Sequence, residues 1–173
     1  MNALPGDGDS GSLEEKPRSC SELAPGDCGS KKDGMTKREI LRVDTSGRGT
    51  IELTFEVARV VAASGVTVGI VQVFARHTSA SLMLTENADP DVRRDIESFL
   101  ARMAPDGDPG YAHTSEGPDD MSAHLRTLLC GAGATLPVSG GRLDLGTWQG
   151  IFLYEHRAGR HGREVVVTVI GDS

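Results

Sequence analysis

From Met35 onward the chain is cut into short apolar runs by turn residues, and this patterning constrains the fold more than any other feature. A short run of alternating character cannot satisfy its own backbone; its N–H and C=O groups need neighbouring strands. TIELTF (50–55) sets Ile51, Leu53 and Phe55 against Glu52 and Thr54. REILRV (38–43) precedes it across Asp-Thr-Ser-Gly-Arg-Gly, a turn signal, so the two read as paired strands. VTVGIVQVFAR (66–76), SASLMLTE (79–86), ATLPV (134–138), RLDLG (142–146), WQGIFLYEH (148–156) and EVVVTVIG (164–171) are further strands. Gly140-Gly141 and AGRHG (158–162) turn the last of them back on one another. EVARVVAAS (56–64) fits a short helix ended by Gly65, or more strand, which Val60 and Val61 favour.

The clearest helix is NADPDVRRDIESFLARMAP. Asp89 is its N-cap, Pro90 its first residue, and Val92, Ile96, Phe99, Leu100 and Met103 fall on one face. A Gly/Pro-rich loop over 105–118 follows, and loops of that length in a small domain are commonly functional. A second helix is expected from Asp120 to Leu129 with Met121, Leu125 and Leu128 inward. Many strands with two or three helices between them give an α+β fold, the helices packed on a mostly antiparallel sheet.

Residues 1–34 carry no apolar period and are dominated by Gly, Ser, Pro and charge, so they read as a disordered extension ahead of one domain over 35–173. Cys20 and Cys28 lie in that extension and Cys130 stands alone in the body; no disulfide framework or CxxC pair results. The N-terminus lacks a basic and an apolar region of signal-peptide type, and nothing approaches the roughly 20 apolar residues of a membrane span. The cytoplasm is the expected location. With 18 Lys and Arg against 25 Asp and Glu, the net charge of −7 argues against nucleic-acid and anionic-membrane partners, while allowing a local cationic cluster.

Chemistry must come from the histidines and carboxylates. His77 ends an apolar run and opens His-Thr-Ser, where Thr78 and Ser79 offer hydroxyl donors to a ligand; it also reads as a hydrogen-bonded strand end. His113 lies in the long loop. His124 follows Asp120 by four residues on one helix face, so the carboxylate can orient the imidazole; Asp119 or Asp120 can equally cap the helix. Alternation puts Trp148, Gly150, Phe152, Tyr154 and His156 on one side of their strand and Gln149, Ile151, Leu153 and Glu155 on the other, with Trp148 as a core or interface anchor. Glu86 and Asn87 sit at a strand-to-helix junction as caps, or as a general base with its partner. His161, in the basic turn AGRHGR, reads as solvated. No HExxH, phosphate-loop or nucleophile-elbow motif is present.

Taken together, HTSASLMLTENADPDVRRDIE (77–97), YAH (111–113), EGPDDMSAHL (116–125), LGTWQGIFLYEHR (145–157) and EVVVTVIGD (164–172) resemble the YjbQ-like family, also called the secondary thiamine-phosphate synthase family. The resemblance spans about residues 36–172. It implies a strongly curved sheet, a homotrimer, and a pocket holding a divalent metal, zinc or magnesium. The motif residues it designates are His77, Glu86, Asn87, His113, Asp120, His124 and His156, with at least three of the four histidines meeting at one ion or anion. Arg157 adds charge for an anionic or phosphorylated small molecule. Ser122 stands where the family usually has Pro, and Thr114 where it usually has an acid or amide.

The resemblance implies a metal-dependent enzyme with thiamine-phosphate-synthase-like transferase activity, joining a thiazole phosphate to a pyrimidine diphosphate. Glu86, Asn87 and Asp120 would be its catalytic residues, and Thr78, Ser79 and Arg157 its substrate contacts. The same residues suit a hydrolase or lyase with a histidine-bound water and Glu86 as base, or a trimeric metabolite- or metal-binding module without catalysis.

Overall fold

Gly47 and Gly49 decide how the first strands are used. Both have positive φ (132° and 145°), and a Cβ on Gly47 would lie 2.6 Å from the Ala158 carbonyl oxygen. At this corner the chain leaves one sheet and enters another. The computed structural model describes residues 34–173; the expected extension before them and the two cysteines within it lie outside the described residues. Strand β1 (Met35–Thr45) therefore does not pair with β2 (Gly49–Glu52) as the intervening turn signal suggested. Its partner is the last strand, β8 (His161–Asp172), in register from Met35 opposite Gly171 to Thr45 opposite His161.

The remaining elements are α1 (Thr54–Ala62), β3 (Val68–Ala75), β4 (Ala80–Glu86), α2 (Pro90–Met103), α3 (Asp120–Cys130), β5 (Gly133–Ser139), β6 (Arg142–Leu143) and β7 (Gln149–Glu155). They complete an α+β fold of two antiparallel sheets, β1-β8-β3-β5-β6 and β2-β7-β4. The inner faces share one core: Val71, Val73, Leu136, Val138, Val165, Val167 and Val169 from the larger sheet meet Leu82, Ile151 and Leu153 from the smaller. Helix α1 contributes Val57, Val60 and Val61, all fully buried. The β-branched side chains suit both surfaces, because a pleated, buried face favours stiff rotamers. RLDLG yields only the two-residue β6.

Both later helices depart from the expected burial. Helix α2 starts as its sequence dictates, with the Asp89 side chain accepting from the Asp91 amide and Pro90 in the first turn, but of its apolar face only Leu100 is buried. Phe99 and Met103 are exposed. Helix α3 is turned further: Asp120, Ser122, Ala123 and Arg126 face inward, while Met121 and Leu125 are half-buried and Leu128 is 81% exposed. The cause is polar. The buried Arg126 guanidinium donates to the Ala104 carbonyl at the C-terminal end of α2 and to Glu97, tying the two helices through charge-assisted bonds. That anchor fixes the rotation of α3 and delivers Asp120 to the interior.

Candidate functional site

Asp120 is the centre of the site. It lies in the first turn of α3 and is 2% exposed. Arg157, just beyond β7, holds its Oδ1, and also donates to Asp119 Oδ2 (3.2 Å) and to the Glu116 carbonyl (2.7 Å). Asp119 in turn accepts from the Ala158 amide at 2.7 Å. Burial opposes ionisation of Asp119, yet that amide and the Arg157 guanidinium outweigh it and keep its pKa below the usual carboxylate range. Asp119, the residue just ahead of α3, thus makes no side-chain capping bond to the helix, and its carboxylate serves Arg157.

The other oxygen, Oδ2 of Asp120, faces two imidazoles: His113 Nε2 at 2.7 Å and His124 Nε2 at 3.2 Å. His124 Nδ1 lies 2.9 Å from the Thr78 carbonyl. A carbonyl only accepts, so Nδ1 carries a hydrogen and Nε2 is the ring nitrogen turned toward Asp120. The two rings are tilted by 51° with centroids 5.5 Å apart. His113 comes from the long loop, which is closed on itself by Gly107 N–H to the Pro118 carbonyl (2.8 Å) and Tyr111 N–H to the Asp108 carbonyl (3.0 Å). Three ligand atoms within 4.8 Å of one another, two nitrogens and one carboxylate oxygen, make a set able to hold a metal ion. A cavity of about 380 Å³ opens beside it, lined by Tyr111, His113, Gly117 and Pro118 among others.

The other two candidate histidines do not join this group. His77 Nε2 accepts the Glu164 amide at 2.7 Å, and Arg163 stands 3.5 Å from its Nδ1. Burial and the Arg163 charge lower its pKa, so it is a neutral strand-end residue with its acceptor nitrogen engaged. His156 is completely buried, lies against the Tyr154 ring with centroids 4.4 Å apart and planes tilted by 53°, and pairs through Nε2 with Ser81 Oγ at 2.8 Å. Its Nδ1 has no partner. Burial, with Arg126 nearby, pushes its pKa down to about 3. The expectation that three of four histidines converge is replaced by two histidines and Asp120.

Glu86 and Asn87 are also elsewhere. They lie at the far end of β4, whose six steps from Ala80 to Glu86 span about 20 Å at about 3.3 Å per extended residue. There the Glu86 carbonyl accepts from Arg93 and the Asn87 amide donates to the Trp148 carbonyl. Thr78 reaches the site through its carbonyl, and the Ser79 hydroxyl accepts from Arg163. Arg157 binds protein carboxylates. Trp148 is 64% exposed and anchors no core among the described residues.

Beside the site runs a buried ion pair that sequence reasoning missed. Glu155 is fully buried and takes two bonds from Arg163 (2.5 and 2.6 Å), one from the Thr45 hydroxyl (2.9 Å) and one from the Arg157 amide (2.9 Å). Burial alone would raise its pKa, but Arg163 and the other donors lower it. Alternation did separate Glu155 from His156; no pattern in the chain marks Arg163 as its partner across the sheets.

A family model described as UPF0047 protein YjbQ-like matches residues 39–172. The UPF0047 protein sll1880 of Synechocystis is 47% identical over 135 residues, 78% of this chain and 92% of that protein. The UPF0047 protein YjbQ of Escherichia coli O157:H7 is 40% identical over 139 residues, 80% of this chain and all of that one. Among solved structures, a hypothetical protein from Aeropyrum pernix superposes with a TM-score of 0.72 at 29% identity, covering 79% of this chain and 99% of its own. A YbjQ-like protein of unknown function from Sulfolobus solfataricus gives 0.70 at 26%, with the same coverage. These relatives carry a family designation without an activity. The expected metal-dependent, thiamine-phosphate-synthase-like function is overturned on that finding; of the residues expected to be catalytic, only Asp120 lies in the cluster with His113 and His124.

Proposed function

The chain belongs to the UPF0047 YjbQ-like family, and from that premise we propose that it binds one divalent transition-metal ion through His113, Asp120 and His124. The observation that carries this reading is the buried Oδ2 of Asp120, approached by two imidazole nitrogens while Arg157 holds Oδ1. A tetrahedral ion with bonds of about 2.0 Å would set its ligand atoms about 3.3 Å apart. The separations of 2.7 and 3.2 Å need only a small outward shift. The outer partners are those a metal site uses, with Nδ1 of His124 donating to a carbonyl and the carboxylate fixed from behind. Two nitrogens and one oxygen suit zinc better than magnesium, which takes oxygen ligands and keeps its waters. His113 lies on the exposed side, so remaining positions on the ion would face solvent and can take water or a small oxygen donor.

Metal content of the purified protein tests this directly. A stoichiometry near one ion per chain is expected, falling to background in Asp120→Asn and in His124→Ala while circular dichroism stays unchanged. Unaltered metal content in both folded variants would overturn the assignment.

The outer face of the larger sheet supports a second reading, that copies of this chain assemble as a homotrimer. Ile40, Phe74, Ile70 and Ile170 are exposed there, and the register aligns Ile40 and Phe74 on either side of Val166 and sets Ile70 opposite Ile170. Apolar cross-strand rows on an open face are the composition of an interface between like chains. Light scattering should give the mass of three 18.3 kDa chains; a monomer mass at micromolar concentration would refute it. No described helix is long and apolar enough to cross a membrane, and the free thiol of Cys130 fits the reducing cytoplasm proposed for this protein.

A further inference from the structure

A second cavity lies away from the metal centre. A cleft of about 560 Å³ runs between α2 and the outer face of the smaller sheet, where Arg48, Arg93 and Arg94 converge over Tyr154 and Thr50. Three guanidinium groups around one cleft are unexpected in a chain of net charge −7. The single carboxylate in the lining, Glu97, is already neutralised: the Tyr154 hydroxyl donates to one oxygen, Arg126 lies 3.2 Å from the other, and Arg48 stands at 3.9 Å. Arg48 is matched by Asp106 and Arg94 by Asp91. Arg93 has no carboxylate partner among the described residues. Its guanidinium sits 5.1 Å above the Phe152 ring and donates to the Glu86 carbonyl at 3.3 Å. The aromatic ring and the carbonyl hold the group in place without cancelling its charge, and its other N–H donors have no acceptor among the described residues.

We infer that this cleft binds a small oxyanion, the phosphate or carboxylate head of an organic molecule. Arg93 provides the uncompensated charge, Arg94 closes over it from the next position on α2, and the organic part lies along Pro90 and the Tyr154 ring. The Tyr154 hydroxyl stays neutral, because burial and the adjacent Glu97 raise its pKa, so it adds no negative charge to the cleft. Arg is suited to this role because its planar fork offers two parallel donors to a carboxylate or phosphate edge. The cleft is separate from the proposed metal centre, whose ligands do not line it.

The test is a titration of the full chain followed by NMR of the arginine Nε–H groups and the α2 amides. Inorganic phosphate and acetate are the probes, with chloride at matched ionic strength as the reference. Saturable shifts centred on Arg93 and Arg94 are expected with at least one probe, and whichever binds tighter identifies the head group. The dissociation constant should rise at least tenfold in Arg93→Gln, and also rise in Arg94→Gln, while His124→Ala leaves it unchanged. Both arginine positions are partly or fully exposed on the helix, so the variants keep the fold. Shifts that follow ionic strength equally for all three salts would overturn the site, as would saturable binding unaffected by either arginine variant.

Discussion

Replacing Glu155 by Gln isolates an ion pair in which both partners are buried. The substitution keeps the side-chain shape and one acceptor oxygen but leaves Arg163, 6% exposed, without its counter-ion. Two of the four bonds to the carboxylate come from Arg163, at 2.5 and 2.6 Å, and neither can keep its charge-assisted character. Breaking one side of a buried ion pair costs about 3–5 kcal/mol. For a domain of this size that corresponds to a fall in Tm of roughly 10–20 °C. The pH dependence supplies a sign. The folded-state pKa of Glu155 lies below its usual value of 4.5, so the pair's stabilisation is complete above that value. It is lost as pH falls through the folded-state pKa. Urea unfolding of wild type and Glu155→Gln at successive pH values should therefore show a gap that is wide at pH 7 and closes only below pH 4.5. A double variant, Glu155→Leu with Arg163→Met, should recover most of the loss, since an apolar pair of similar volume carries no desolvation penalty. A pH 7 difference of less than about 1 kcal/mol for Glu155→Gln, the value of an exposed pair, would refute the reasoning.

Two other perturbations follow from the same geometry. The His156 imidazole has a folded-state pKa of about 3, well below its unfolded value of 6.5, so the unfolded chain binds the extra proton first. Stability should then decline between pH 6.5 and 3 with a slope approaching about 1.4 kcal/mol per pH unit from this group, and His156→Leu should flatten that slope in acid-unfolding curves. An unchanged slope would mean that the ring is hydrated in the folded state. Arg157→Met frees Oδ1 of Asp120 while leaving all three proposed ligands in place; metal affinity measured by competition with a chelator should drop about 10- to 100-fold, the usual cost of losing an outer partner.

The strands were legible because alternation and turn residues are local signals. Asp89-Pro90 fixed the start of α2 for the same reason, through a side-chain bond to the Asp91 amide two residues away. Pairing was not legible. The turn between β1 and β2 resembles a hairpin until the approach of Ala158 to Gly47 is known, and that contact joins segments over a hundred residues apart. Helix α3 shows the limit most sharply. Its leucines mark an apolar stripe, and hydrophobic period alone turns that stripe inward; the observed rotation answers instead to Arg126 and Asp120, whose partners come from α2 and from the segment after β7.

The same rotation explains which part of the site could be read. His124 and Asp120 share a helix face at a spacing of four, so their contact is local and was anticipated. His113 could be suspected only from its place in a long Gly/Pro-rich loop, since its distance to Asp120 depends on how that loop closes through Gly107 and Pro118. His77 and His156 carried equally suggestive contexts, yet each ends a strand, and a strand end in this fold lies under a neighbouring strand. The Glu164 amide lies against one ring, Ser81 and Tyr154 against the other. Of these four histidines, only those on the helix face and in the loop bring a ring nitrogen to the Asp120 carboxylate. The strand ends give their histidines structural partners, while α3 and the long loop present theirs to the one carboxylate oxygen that Arg157 leaves free.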